Sequence, residues 1–215
     1  MFGSGREHAR STGLLYRSEG AYRIAMMLLE GSERAQRHRR ISTAIAAGST
    51  VVDLCCGDAS LASALLARGC TYLGLDINPV FVRSGQRRGL DVRKWDARSM
   101  EIPAADIVCM LSSFYQFIPN ERPLFERMLQ RARRLVVVSE PIRNWATSGS
   151  RVLQRVALAV TRVDGRTFER RHDEVSLRAL VGGLDPAAVE IEPLGRETLL
   201  LVRTERLRGA LKLRR

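Results

Sequence analysis

The chain has 215 residues, 45% apolar and 27% charged, which supplies a core and a solvated surface and excludes a disordered, collagen-like or disulfide-stapled chain. Its formal net charge is +12, a sign that favours phosphates, anionic lipids or acidic substrates, but thirty-three of the thirty-five basic residues are arginines dispersed as on a solvated surface. No apolar run approaches the roughly 18–20 residues that span a bilayer, the first ten residues lack the apolar segment of a secretory signal, and four cysteines fall in no metal spacing, so a reducing cytoplasm and no metal site are expected.

Over residues 14–47, Tyr16, Ala21, Ile24, Met27 and Leu28 recur at helical spacings and predict a helical cap over residues 1–47. Gly31 and Ser32 interrupt that pattern and predict a break, with Ser32 capping a second helix that Gly48 ends. Short apolar runs at 51–54, 72–75, 90–92, 105–110 and 135–138 read as strands, separated by helical stretches at 60–67, 80–88 and 123–131. Strands alternating with helices of about ten residues make crossover units, hence a parallel sheet with helices on both faces. Beyond Pro141 the rhythm changes: an insertion at about 144–173, with an apolar helix over 152–160, is expected to form a substrate cap. A helix near 174–180 follows, then strands at 189–191 and 198–202 closing as an antiparallel ribbon, and a basic tail over 205–215.

Three carboxylates sit at the carboxyl ends of predicted strands, where open α/β sheets bind ligands: Asp53, Asp76 and Asp96, spaced by 23 and 20 residues. An acid ending the second strand can accept both hydroxyls of a ribose, and one beside the third can accept from an adenine amino group. Gly57 lets backbone approach a ligand as the chain turns into a helix. A dinucleotide-dependent dehydrogenase would need G-x-G-x-x-G straight after the first strand; here Asp58 at the helix amino end would repel a pyrophosphate.

With these motifs in order, residues 14–204 resemble a class I S-adenosylmethionine (SAM)-dependent methyltransferase. The family's D-x-G-x-G-x-G loop is matched by Asp53, Leu54, Cys55, Cys56, Gly57, Asp58 and Ala59, with Cys55 and Ala59 standing where glycines are usual. The resemblance implies a doubly wound, mostly parallel seven-stranded α/β sheet over residues 48–204, with a C-terminal antiparallel strand and helices on both faces. It implies SAM as cofactor. Asp53 and the Cys55–Gly57 loop would face the methionine amino end, Asp76 the ribose, and Ile77 the adenine. Asp96 would take the adenine N6 amino group, the Ala97 N–H would reach N1, and a carbonyl at Leu111 or Ser112 would bind the methionine ammonium.

The cofactor arrives activated, so the protein's main task is alignment, with a base needed only where the acceptor loses a proton. Glu140, His172, Tyr115, Gln116 and Asn144 could reach the crevice, with Glu140 and His172 the candidate bases. The alternatives are a buried Glu140 paired with Arg143 and a surface or capping His172. Tyr16, Tyr22, Tyr115 and Asn144 are the expected substrate-pocket residues. No (D/N)-P-P-(Y/F) follows the fourth strand and no Pro-Cys or Thr-Cys follows the fourth or fifth, which disfavours the common DNA-methylating chemistries. The expectation is therefore a small-molecule acceptor, hydrophobic or natural-product-like. The alternatives are a catalytically silent SAM-binding scaffold, motivated by Cys55 and Ala59, and an RNA methyltransferase, motivated by the charge. Arg151 and Arg155 beside the 152–160 helix leave peripheral membrane contact open.

Overall fold

The alternation of short apolar runs with amphipathic stretches produces one seven-stranded sheet in the order β3-β2-β1-β4-β5-β7-β6. A computed structural model describes residues 19–142 and 170–213, with side chains described over 32–142 and 170–208. In chain order these hold α1 (Glu19–Ala44), β1 (Thr50–Leu54), α2 (Ala62–Leu66), β2 (Thr71–Asp76), α3 (Pro79–Arg87), β3 (Val92–Lys94) and β4 (Ala105–Leu111). A 3₁₀ turn at Phe114–Phe117 leads to α4 (Glu121–Arg131) and β5 (Ala132–Pro141), and α5 (Glu174–Val181), β6 (Val189–Leu194), β7 (Glu197–Arg203) and α6 (Thr204–Leu213) complete the chain. β1 to β5 run parallel, whereas β7 is antiparallel to both β5 and β6. The strand order reverses between β1 and β4, the switch point outside which such sheets bind ligands.

Strands buried on both faces need apolar residues at successive positions, and β1 shows why. Val51 faces a core layer with Ile41 of α1, Ile45 just after it, Leu65 of α2 and Val82 of α3. Val52 faces the opposite layer with Leu124, Phe125 and Met128 of α4 and Val181 of α5. Asn78 caps α3 by accepting from the Val80 N–H at 2.9 Å, with Pro79 at the first helical position, a start that fixes where β2 ends.

Three expectations need correction. No break occurs at Gly31 and Ser32: α1 runs unbroken to Ala44. An interior glycine costs only about 1 kcal/mol of helix stability, and the same helix is tied to the rest of the chain by Arg34 to Asp58 and Arg40 to both Glu190 and Glu192. The expected basic tail is instead α6, secured by Thr204 Oγ1 and Arg208 Nη2, which both donate to the Ala132 carbonyl. The third strand lies two residues later than expected, at Val92–Lys94. Tyr16, Asn144 and the 152–160 helix lie outside the described residues, as does the side chain of Tyr22. Among the described residues, no helix is long and apolar enough to cross a membrane.

Candidate functional site

The loop leaving β1 has left-handed backbone at every second residue: Cys55, Gly57 and Ala59 have φ of 54°, 55° and 51°. Only glycine adopts this region without steric cost, so the two substituted positions keep the shape that glycines would give, at roughly 1–2 kcal/mol each. Neighbouring contacts hold the shape. The Cys56 N–H donates to the Leu75 carbonyl at 3.1 Å and the Ala59 N–H to the Cys56 carbonyl at 2.9 Å. Gly74 of β2 must be glycine beneath this loop, since a Cβ there would lie 2.8 Å from Cys56 Sγ.

Asp76 ends β2 and joins two loops. Its Oδ2 accepts from the Gly57 N–H and its Oδ1 from the Asn78 N–H, both at 2.8 Å. Burial pushes its pKa up to about 6, and those two backbone donors hold it from rising further. Ile77 beside it is half-buried. The Trp95 N–H donates to the Asp76 carbonyl at 3.0 Å and so brings the next predicted acid alongside. Half-buried Asp96 accepts from the Arg98 N–H at 2.9 Å, and the Ala97 carbonyl is taken by the Arg127 guanidinium. Arg98 also lies 5.5 Å from the centre of the Phe117 ring.

Asp53 lies beneath the loop. It is only 3% exposed, with the Tyr72 hydroxyl donating to Oδ2 at 2.8 Å and the Cys109 thiol to Oδ1 at 3.5 Å. Burial pushes its pKa up to about 7; the two donors lower it, while Asp76 and Asp58 raise it. Both its oxygens are engaged beneath the loop, so it anchors β1 to β2 and β4. Burial likewise raises the Cys55 and Cys56 thiols well above their ordinary value, which makes them packing groups and not nucleophiles.

β4 ends at half-buried Leu111, and Ser112 follows with φ of 52° and its N–H donating to the Ser139 carbonyl at 2.7 Å. Glu140, fully buried on β5, accepts from the Phe114 N–H at 2.7 Å and the Tyr115 N–H at 3.0 Å. Burial pushes its pKa up to about 7 against those donors. Both oxygens therefore cap the Phe114–Phe117 turn, a task that competes with service as a base. Its suggested partner Arg143 lies outside the described residues.

His172 is 3% exposed and stacks on Phe114 with centroids 5.4 Å apart. Its Nδ1 lies 3.3 Å from Ser176 Oγ, while Nε2 is buried without a hydrogen-bond partner. Burial holds its pKa below the ordinary 6.5. The α5 cap is Asp173, which accepts from the Ser176 N–H at 2.8 Å, so His172 is neither on the surface nor the capping residue. Tyr115 is buried beneath Arg171, whose guanidinium carbon sits 3.5 Å from the ring centre. Residues that sequence reasoning missed are Tyr72, Arg34, Arg37, Arg171 and Glu197, all held by long-range partners. Among the described residues, no group of three or more His, Cys, Asp or Glu could hold a metal.

Residues 51–138 match the family model described as a methyltransferase domain. No curated protein matches the sequence. Among solved structures, human N-acetylserotonin methyltransferase in complex with SAM is similar with a TM-score of 0.60 and 18% identity, over 88% of this chain and 57% of that one. Magnesium protoporphyrin IX methyltransferase of Synechocystis PCC 6803 with bound S-adenosylhomocysteine gives 0.59 and 16%, over 80% and 84%. The complex of the Haloferax volcanii Trm112 methyltransferase activator with its methyltransferase gives 0.63 and 13%, over 90% and 99%. The chain thus spans little more than half the length of the human protein. Residues 51–138 are similar to a methyltransferase domain, and the seven-stranded sheet has the fold of class I, Rossmann-like methyltransferases.

Proposed function

We propose that the chain is a class I methyltransferase that uses SAM to methylate a small, hydrophobic acceptor. The observation that carries the cofactor reading is the junction at Asp76, where one buried carboxylate ties the loop after β1 to the end of β2. Each of its oxygens holds one backbone N–H and keeps a lone pair for a ribose hydroxyl, so the residues fit the adenosyl group. Half-buried Ile77 would pack on the adenine, the Asp96 carboxylate would accept from its amino group, and the Ala97 N–H would donate to its ring. A carbonyl at Leu111 or Ser112 would take the methionine ammonium. Bound there, SAM supplies an activated methyl group for in-line displacement. The left-handed Cys55 and Ala59 argue against the silent scaffold, because the loop keeps its glycine shape without its glycines.

On the acceptor side, the turn after β4 carries half-buried Phe117 over the buried Phe114 and Tyr115, and the Phe117 ring suits a hydrophobic acceptor. Two of the similar structures are of enzymes named for small molecules, N-acetylserotonin and magnesium protoporphyrin IX. Of the two candidate bases, His172 has the nitrogen to spare: its buried Nε2 has no hydrogen-bond partner and burial keeps the ring neutral, although the same burial opposes its protonation. Glu140 would have to abandon its cap. Titration calorimetry with SAM and S-adenosylhomocysteine, followed by a labelled-methyl screen over hydrophobic hydroxyl, amine and thiol acceptors, tests the proposal. Absence of SAM binding refutes it, and binding without transfer to any acceptor favours the scaffold. Transfer to RNA that persists between about 50 and 200 mM salt would favour the RNA enzyme over non-specific contact.

A further inference from the structure

Glu197 opens β7, outside the matched segment, yet its carboxylate reaches the end of β4. Its Oε1 accepts from the Ser112 hydroxyl at 3.2 Å and pairs with Arg37 Nη1 of α1. Its Oε2 accepts from the Ser139 hydroxyl of β5. Arg37 Nη1 also donates to Ser112 Oγ at 3.1 Å, so serine, glutamate and arginine close a triangle. Register places this cluster at the carboxyl edge of the sheet, with Leu111 opposite Ser139 and Pro141 opposite Glu197. Arg37 and Ser139 are buried, and the Glu197 side chain is 11% exposed.

The cluster grips a residue in a conformation it would not choose. Ser112 has φ of 52°, a region that an L side chain enters only when its surroundings over-determine it. The hydroxyl is held from two sides by Arg37 and Glu197, and the N–H is held by the Ser139 carbonyl. The direction of the peptide groups on either side of Ser112 is set by that twist.

We propose that Glu197, with Arg37 as its counter-ion, is a positioning residue for the cofactor: it holds Ser112 left-handed so that the carbonyl at the end of β4 faces the methionine ammonium. The inference rests on the SAM reading above. It explains why the grip is an ion pair and not a lone acid. Arg37 neutralises a carboxylate that burial would otherwise penalise, and a paired Glu197 keeps its geometry whether or not a cation lies nearby.

The test is SAM calorimetry on the full chain for the wild type, Glu197→Ala, Ser112→Gly and the double variant, each with a urea unfolding curve. Glu197→Ala is expected to lose about tenfold in SAM affinity, which is about 1.4 kcal/mol. The double variant should recover most of the Glu197→Ala loss and match Ser112→Gly alone, because glycine takes positive φ without being held. A purely structural role would not be rescued by a glycine. Glu197→Ala binding as tightly as wild type, or a double variant as weak as Glu197→Ala, overturns the proposal. If Glu197→Ala does not fold, Glu197→Gln, which keeps the acceptor and drops the charge, takes its place with the same expected rescue. A wild type that binds no SAM would remove the cofactor reading itself, whereas a binding wild type with an indifferent Glu197 removes this inference alone.

Discussion

Asp53 offers the sharpest test of how the site is built. Its carboxyl is buried against Tyr72 and Cys109 with a pKa near 7, against 3.8 for an ordinary aspartate. The folded chain therefore keeps a proton that the unfolded chain releases between about pH 4 and pH 7. A folded-state pKa raised in this way makes stability fall as pH rises through that window, at about 1.4 kcal/mol per pH unit. From pH 5 to pH 8 the loss is about 2–3 kcal/mol, and above about pH 8 it levels off. Asp53→Asn removes the titration while its amide oxygen still accepts from the Tyr72 hydroxyl; losing the contact to the Cys109 thiol costs about 1 kcal/mol at every pH. Urea unfolding of both proteins without cofactor at pH 5 and pH 8 should show the variant gaining about 2–3 kcal/mol on the wild type as pH rises. Glu140 titrates in both proteins and cancels in the difference, whereas Asp76, whose charge acts on Asp53, cancels only in part. An equal gap at both pH values would show that Asp53 is not the buried, protonated group described.

Asp76→Ala should weaken SAM binding by on the order of 1–3 kcal/mol, because two hydroxyls lose their acceptor; unchanged affinity by calorimetry refutes the ribose assignment. Gly85→Ala in α3 would set a Cβ 2.4 Å from Val92 Cγ2, so urea unfolding should show a loss of about 1–3 kcal/mol. Adding Val92→Ala should return part of it, and a stable Gly85→Ala protein would contradict the α3 to β3 packing. His172→Phe keeps the stack on Phe114 and deletes the unpartnered Nε2, so stability should hold or rise while transfer to proton-bearing acceptors falls with SAM affinity unchanged. Undiminished turnover in that variant would clear His172 of acting as a base.

Most of the sheet was legible because its signals are local. Runs such as Val51, Val52 and Leu54, or Ile107, Val108, Cys109 and Met110, can be buried only between two helical layers, and an acid placed where such a run stops is conspicuous. That placement puts Asp76 and Gly57 at one edge of the sheet, while the hydrogen bond that joins them is visible only in the folded chain. What sequence could not show is held by residues distant in the chain. Arg37 and Arg40 look like a solvated basic cluster until their partners Glu197, Glu190 and Glu192 are brought in from the last two strands. Glu140 was placed correctly at a strand tip, but that its oxygens would cap the following turn depends on the path of the chain from 112 to 115. Position along a strand tells which edge a residue reaches, and not what its side chain meets there.

The substituted glycine loop shows how this division operates. Judged alone, Cys55 and Ala59 weaken the cofactor motif, since each opposes the left-handed backbone that the motif requires. The loop is not shaped by its own preferences, however. Asp76 captures the Gly57 N–H, the Leu75 carbonyl captures that of Cys56, and Gly74 clears space below. β2 thus acts as a mould for the loop after β1, and the strain is met by contacts that also align Asp76 with the crevice. Ser112 repeats the arrangement on the other side of the switch point, with β5 and β7 as the mould and the Arg37–Glu197 pair as the grip. Both walls of the crevice therefore hold non-glycine residues in glycine conformations. Spending stability at matching positions on β1 and β4 is what a sheet does when the backbone itself, more than the side chains, has to meet a ligand.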